Sequence, residues 1–458
     1  MPMVTPFSFD GQLARGRYAL WSIGLLLSQP ALVLAVVLGR GETLRFAYWS
    51  ALIPYRWLVT QSDGAMLPVL LGLVYITIIA WALVALAFRR AADAAVDPWI
   101  ATFALAPVLQ IPAILFLCVM PSRSAAAVAL PAAPDNARPV SGWAVATQGL
   151  IAGGGLTIAS VILGALVFGT YGYGMFVVSP FIIGAMTAFI GNRRQDRGAA
   201  RTNNLVLAAT ALGAIGLVAT ALEGIVCIVL AAPLVAGLAL VGGMFGRWMA
   251  RYSNGRRSRT AYAFALVPMM FGTENLLPAE TDFSTVQTIE IDAPPARVWQ
   301  ALIHMDEITE PLALPFRLGV AYPLRGEIEG EGVGALRRGE FSTGTALERV
   351  TAWEPGRKLA FTVLTDVPAM HELSPYQHVH APHVEGYFRT GETSFELVPL
   401  PEGRTEIIER SAHLLRLDPV LYWLPLARWV VAENNARVLA HIRNQAEQRP
   451  VAALNLPE

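Results

Sequence analysis

Two hydrophobic rhythms divide the chain. Up to about Gly246, apolar residues come in long unbroken runs; beyond Phe283 they alternate with polar residues over short stretches. A stretch of roughly 20 apolar residues is what a helix needs to cross the hydrocarbon layer, where backbone polar groups must pair internally. The runs that meet this requirement are Tyr18–Gly39, Met66–Phe88, Pro98–Met120, Trp143–Phe168, Tyr171–Gly191, Leu205–Leu222 and Gly224–Gly246, each without a charge. They predict seven spans. Ser122 to Gly142, rich in Ala and Pro, reads as a linker between two membrane units.

The second rhythm has period two. In TVQTIEI, Gln287, Ile289 and Ile291 share one face, which predicts a strand. Asp292 and the prolines 294 and 295 then open a helix through Leu302. Further strands are expected at Tyr322–Glu329, Gly334–Phe341, Thr345–Thr351, Lys358–Thr365, Thr390–Val398 and Thr405–Ala412, separated by turns such as Glu354-Pro355-Gly356. A helical pattern from Tyr422 to Gln448 closes the chain, with Val438, His441 and Ile442 on one side. The fold class is therefore a multi-span α-helical membrane protein with a C-terminal α+β helix-grip domain, a bent antiparallel sheet closing on a long helix. The expected organisation is a membrane unit over residues 1–120, a linker over 121–142, a second membrane unit over 143–260, an interfacial connector over 261–282, the helix-grip domain over 283–450 and a tail over 451–458.

Composition agrees with this division. Mean hydropathy is +0.48 and only 15% of residues are charged, which is not the balance of an ordinary soluble chain. The 34 basic and 34 acidic residues cancel, and no basic stripe interleaves with aromatics, so nucleic acid is not an expected partner. Cys118 and Cys227 both lie in apolar runs and supply no disulfide framework. The first run is read as a retained helix and not a cleaved leader.

Arginines cluster at Arg15/Arg17, Arg89/Arg90, Arg193 to Arg201 and Arg247 to Arg259, as cytoplasmic ends of spans do. With seven spans, Arg89/Arg90 and Arg193 fall three helices apart and do not agree; Leu44–Val59 and the segment holding Pro107 and Pro112 are the candidates for a miscount. The last cluster predicts an inner-membrane protein with its soluble domain in the cytoplasm, provided that Ala261–Gly272 lies at the interface and does not cross. Glycines such as Gly213, Gly242, Gly243 and Gly246 permit close helix contacts and self-association. Glu223 stands alone between two apolar runs and reads first as an interfacial turn, second as a buried ion site.

Two resemblances rest on particular phrases of the chain. FSFDGQLARGRYALW with FRRAADAAVDPW resembles the bacterial inner-membrane domain of unknown function 805, although Arg89-Arg90-Ala91-Ala92-Asp93 departs from the usual R-L-H-D-like phrase. The opening IEIDAPPARVWQAL, with GVGALRRGEFSTG and MHELSPYQHVHAPHVEGYF, resembles the START-like polyketide cyclase/dehydrase and lipid-transport superfamily in its membrane-tethered bacterial form. That resemblance implies a hydrophobic, lipid-like ligand beside membrane lipids, bound for transfer or sensing. A membrane-associated cyclase, dehydrase or hydrolase is the alternative, and a structural or regulatory membrane partner protein is a third.

Candidate chemistry is sparse. Arg338 and Glu340 share a strand face and Glu348 lies on the next strand; turned inward they would hold a polar head group, turned outward they form solvated ion pairs. Tyr376 and Tyr387 are candidate ligand-lining aromatics. Arg338, Glu340, His371 and His380 are the candidates for charge stabilisation and acid–base work. His378, His380 and His383 could form a metal set, but the preferred reading is a polar loop over the domain's mouth, and neither metal nor cofactor is expected. No nucleophile elbow, phosphate loop or dinucleotide fingerprint is present.

Overall fold

The computed structural model describes residues 6–7, 9, 11–39, 41, 66–96, 99–105, 110–122, 142–193, 195–252, 271–272, 274–275, 280–376 and 382–447. The chain is a multi-span helical membrane protein carrying a helix-grip domain. It divides into two compact units: residues 1–220, 231–277 and 418–421, and residues 221–230, 278–417 and 422–458.

The first unit is helical: α1 (Arg15–Gly39), α2 (Met66–Ala94), α3 (Gln110–Val119), α4 (Gly142–Val161), α5 (Ser179–Asn192), α6 (Ala199–Ala219) and α7 (Ile225–Tyr252), whose opening residues through Leu230 count with the second unit. A π-helical turn extends α4 through Val167, and another over Gly174–Val178 leads into α5. Among the described residues, six helices are long and apolar enough to cross a membrane. The expected span Pro98–Met120 is not one of them. Its described parts are the short helix Trp99–Thr102, the 3-10 turn Phe103–Leu105 and the ten-residue α3, which carries Pro112 in its first turn; Pro107 lies outside the described residues. The Leu44–Val59 segment and the 122–142 linker lie almost entirely outside the described residues.

Glycine lets α5 and α7 touch through their backbones. A Cβ on Gly184 would overlap the Ala239 carbonyl, and one on Gly242 or Gly246 the carbonyls of Phe181 and Ala185. The i, i+4 spacing of the last two makes a small-residue crossing face, as expected where lipid offers no hydrophobic drive between helices. At one end of this pair, Arg247 Nε lies 2.8 Å from Asp196 Oδ1.

Arg90 is fully buried, yet it is no stray charge. It sits at the carboxyl end of α3, where its guanidinium bonds the Leu117 carbonyl (3.0 Å), the Met120 carbonyl, Ser122 Oγ (3.0 Å) and Asp93. A cation there satisfies terminal carbonyls and opposes the helix dipole. Phe9, from the N-terminal phrase, sits among Trp81, Phe88, Phe245 and Trp248.

The second unit holds β1 (Thr281–Ile291), α8 (Pro295–Ile303), β2 (His304–Met305), β3 (Pro323–Glu329), β4 (Leu336–Phe341), β5 (Gly344–Glu354), β6 (Lys358–Thr365), β7 (Phe388–Pro399), β8 (Thr405–Leu415) and α9 (Val420–Glu447). They form one antiparallel sheet, ordered β1-β8-β7-β6-β5-β4-β3-β2. The core lies at one end of the grip. Ile291, Trp299, Leu302, Val350, Leu359, Phe361, Phe395, Leu397 and Ile407 pack there with Leu439 and Ile442 from the later turns of α9. Buried Arg437 fastens the same helix by donating to the carbonyls of Ile308, Glu310 and Pro323. His441 Nδ1, 3.1 Å from Glu310 Oε2, extends that seam.

Candidate functional site in the helix-grip domain

Strand periodicity builds the site. On β8 the inward positions are Thr405, Ile407, Glu409, Ser411, His413 and Leu415, all buried, while their neighbours are more open. Register places Ile407 between Ile289 and Leu397, Glu409 between Gln287 and Phe395, Ser411 between Thr285 and Thr393, and His413 between Phe283 and Thr390. The inner face is thus apolar at the core end and polar beyond it.

These groups form one network. Asn435 Nδ2 on α9 donates to Glu409 Oε2 (2.8 Å) and reaches Ser411 Oγ (3.3 Å). Ser411 Oγ lies 2.9 Å from Thr285 Oγ1 and 3.0 Å from His413 Nε2. The His413 ring stacks between Phe283 and Phe388, at centroid distances of 5.1 and 5.3 Å. Gln287 Nε2 closes the edge by donating to the Ala432 carbonyl at 2.9 Å.

Burial sets the charge state. Desolvation raises the Glu409 carboxyl to about 7, even though hydrogen bonds from Ser411 and Asn435 favour the anion. Desolvation likewise lowers His413 to about 4, so near neutral pH its imidazole is uncharged. A carboxyl poised near neutrality and a neutral imidazole, joined through one hydroxyl, can bind a polar group or exchange a proton with it.

The sequence-derived candidates among the described residues are not part of this network. Arg338 and Glu340 stand on the outer face of β4, paired with Glu329 (3.0 Å) and Arg325 (2.6 Å). Glu348 points the other way and is buried, bonded to Arg337, whose guanidinium lies over the Phe361 ring. The three do not make one charged patch, because Glu348 has the opposite parity in the sheet. His371 is exposed, its Nε2 3.2 Å from the Ser342 carbonyl. Tyr376 is exposed; Tyr387 is half-buried, its phenol pushed up by burial. His378 and His380 lie outside the described residues. His383 is described, and its donor atoms lie with those of Glu223 and Cys227 within 4.8 Å of one another. Glu409, Ser411 and His413 carried a readable signal: three polar residues in phase with Ile407 and Leu415, on the face that should be apolar.

Solved structures similar to the chain include protein MLL2253 from Mesorhizobium loti, at 16% identity over 37% of this chain and 100% of that one, with a TM-score of 0.24. The Zhui aromatase/cyclase from Streptomyces sp. R1128 shares 19% identity over 38% of this chain and 98% of that one, with a TM-score of 0.25. Norcoclaurine synthase from Thalictrum flavum shares 12% identity over 38% and 98%, again with a TM-score of 0.25. No curated protein matches the chain. The N-terminal resemblance to the domain of unknown function 805 gains no support. Residues 282–447, the helix-grip domain, match the family described as polyketide cyclase / dehydrase and lipid transport.

Proposed function

We propose that the helix-grip domain binds a hydrophobic, lipid-like molecule between its sheet and α9, with the ligand's polar group at Glu409, Ser411 and His413. The observation that carries this is the mixed character of β8's inner face. A molecule with a greasy body and one polar group matches an apolar wall ending in a satisfied polar network, since burying the polar group costs little where hydrogen-bond partners wait. Tethering to membrane helices suits such a ligand, because it need cross little water. The test is a photoactivatable fatty-acid analogue added to the full-length protein in lipid nanodiscs. Labelled peptides should come from β1, β8 and the first half of α9; labelling confined to the membrane helices would refute the proposal. Chemistry on the bound ligand is the second reading, favoured by the Glu409 carboxyl lying near neutrality, where a general acid or base works best. It predicts that E409Q abolishes turnover while ligand is still retained.

The protein is assigned to a bacterial inner membrane. Counting the six candidate spans among the described residues, the arginine clusters before α1, after α2, after α5 and at the end of α7 are two helices apart throughout. Positive-inside bias then puts all four in the cytoplasm. The segment beyond α7 supports the opposite side for the C-terminal part of the chain. Tyr252 ends α7 near the Arg247–Asp196 pair, whereas Phe271 stacks on Phe168 and Glu274 accepts from the Gly174 amide at 2.8 Å. Gly174–Asn192 is 19 residues of helix, about 28 Å, between those two places. We therefore assign residues from Phe271 onward to the outer face, in place of the cytoplasmic position that Arg247 to Arg259 alone suggested.

A further inference from the structure

The donors around His383 belong to the second unit but to neither the β8 network nor the membrane core. Glu223 precedes α7 and Cys227 lies in its first turn, and their donor atoms come within 4.8 Å of each other and of His383. Glu372 and His383 come from the two arms of the loop between β6 and β7. Backbone bonds hold those arms: Ile225 N–H donates to the Leu373 carbonyl (2.9 Å), His371 N–H to Gly319 (2.8 Å) and Ala369 N–H to Val384 (2.8 Å). Gly224 has no Cβ to collide with the Glu372 carboxylate, and any other residue there would expel it.

Cys227 Sγ lies 2.6 Å from His383 Nε2, and Glu372 Oε1 lies 3.6 Å from the same nitrogen. Glu223 Oε2 lies 3.6 Å from the other ring nitrogen, Nδ1. The side chains of Glu223, Glu372 and His383 are 8%, 4% and 10% exposed. Met370 Sδ is 3.7 Å from the thiol.

We propose that Cys227, His383 and Glu372 bind a zinc-class divalent transition-metal ion on the Nε2 side of the imidazole, with Glu223 orienting the ring through Nδ1. One sulfur, one imidazole nitrogen and one carboxylate with a further position open is a set that zinc accepts in tetrahedral geometry. Calcium and magnesium want oxygen alone, and the thiol excludes them. A carboxylate facing the second ring nitrogen is the usual partner of a metal-bound histidine, and Glu223, 3.6 Å from Nδ1, stands where a small closing movement lets it accept that N–H. The ion takes the place of the proton shared by Cys227 and His383, and that proton leaves to solvent as the thiolate forms. Two buried carboxylates beside a thiol favour such an ion, since a divalent cation offsets twice the charge an imidazolium does.

The test uses the full-length protein in nanodiscs, stripped with chelator and titrated with Co(II). One equivalent should give tetrahedral visible absorption and a thiolate-to-cobalt charge-transfer band, with a proton released. Zn(II) should displace it. The chain has two cysteines, so C118S should keep the band and C227S lose it. E223Q should weaken binding by about 10- to 100-fold without removing the band. If C227S does not accumulate, the band's survival in C118S assigns it to Cys227 by elimination. Absence of the charge-transfer band at one equivalent in the wild-type protein, or its loss in C118S, would overturn the proposal.

Discussion

Glu409 and His413 should make the domain's stability nearly independent of pH across a window where either alone would tilt it. Burial raises the Glu409 carboxyl from an ordinary 4.5 to about 7 and lowers the His413 imidazole from 6.5 to about 4. For Glu409 the folded value is the higher one, so its favourable contribution is complete below about pH 4.5 and is lost as pH rises through about 7. For His413 the folded value is the lower one, so its contribution is complete above 6.5 and is lost as pH falls through about 4. Between about pH 4.5 and 6.5 the folded chain carries its extra proton on Glu409 and the unfolded chain carries one on His413, and the slopes cancel. Removing one group exposes the other. E409Q should gain about 3 kcal/mol of stability on going from pH 4.5 to 6.5, at 1.36 kcal/mol per pH unit, and H413N should lose about as much. The glutamine and asparagine side chains introduced still offer polar partners to Asn435 and Ser411, so the comparison does not rest on a broken network. The readout is amide hydrogen exchange on β8 in the full-length protein, corrected for the intrinsic pH dependence of exchange. Parallel profiles for wild type and both variants would refute the assignment of burial as the cause.

Other consequences are equally concrete. R337A strands the buried Glu348 carboxylate and should cost about 3–5 kcal/mol, whereas R337M/E348L, which removes both charges, should recover most of it in the same exchange assay. G246V drives a side chain into the Ala185 carbonyl and should cost about 1–3 kcal/mol or more, read as a lower midpoint for thermal aggregation in detergent; G237V, where open space faces the missing Cβ, should change little. A phosphatase reporter active only outside the cytoplasm, fused after Glu458, should be active; a silent phosphatase with an active cytoplasmic reporter would return the domain to the inner side.

The soluble fold was legible almost residue by residue, because half-buried strands advertise themselves in period two. Lys358–Thr365 was expected and found with identical bounds, and the closing helix, expected over Tyr422–Gln448, runs Val420–Glu447. The membrane half was legible where runs were uninterrupted. At Pro98–Met120 the described helix comes in short pieces, Trp99–Thr102 and Gln110–Val119, and Pro107 lies outside the described residues. The candidate site was least legible. Arg338 and Glu340 drew attention as charges on a strand, yet charges on a strand mostly face water, and these do. Glu409 and His413 hid inside an ordinary alternation, visible only once Ile407 and Leu415 are known to mark the inner face. Glu223 and Cys227 could not be joined to Glu372 and His383 from sequence at all: well over a hundred residues separate them, and only the folded chain closes that distance.

Everything proposed for the grip depends on its holding an apolar ligand. Native mass spectrometry of the full-length protein released from nanodiscs, followed by organic extraction and identification of what is carried over, tests it directly. About one lipid-like molecule per chain should be retained, exchangeable for an added homologue and held more weakly by the double variant E409Q/H413N. A wild-type chain that retains no apolar molecule once its annular lipids are stripped would contradict it.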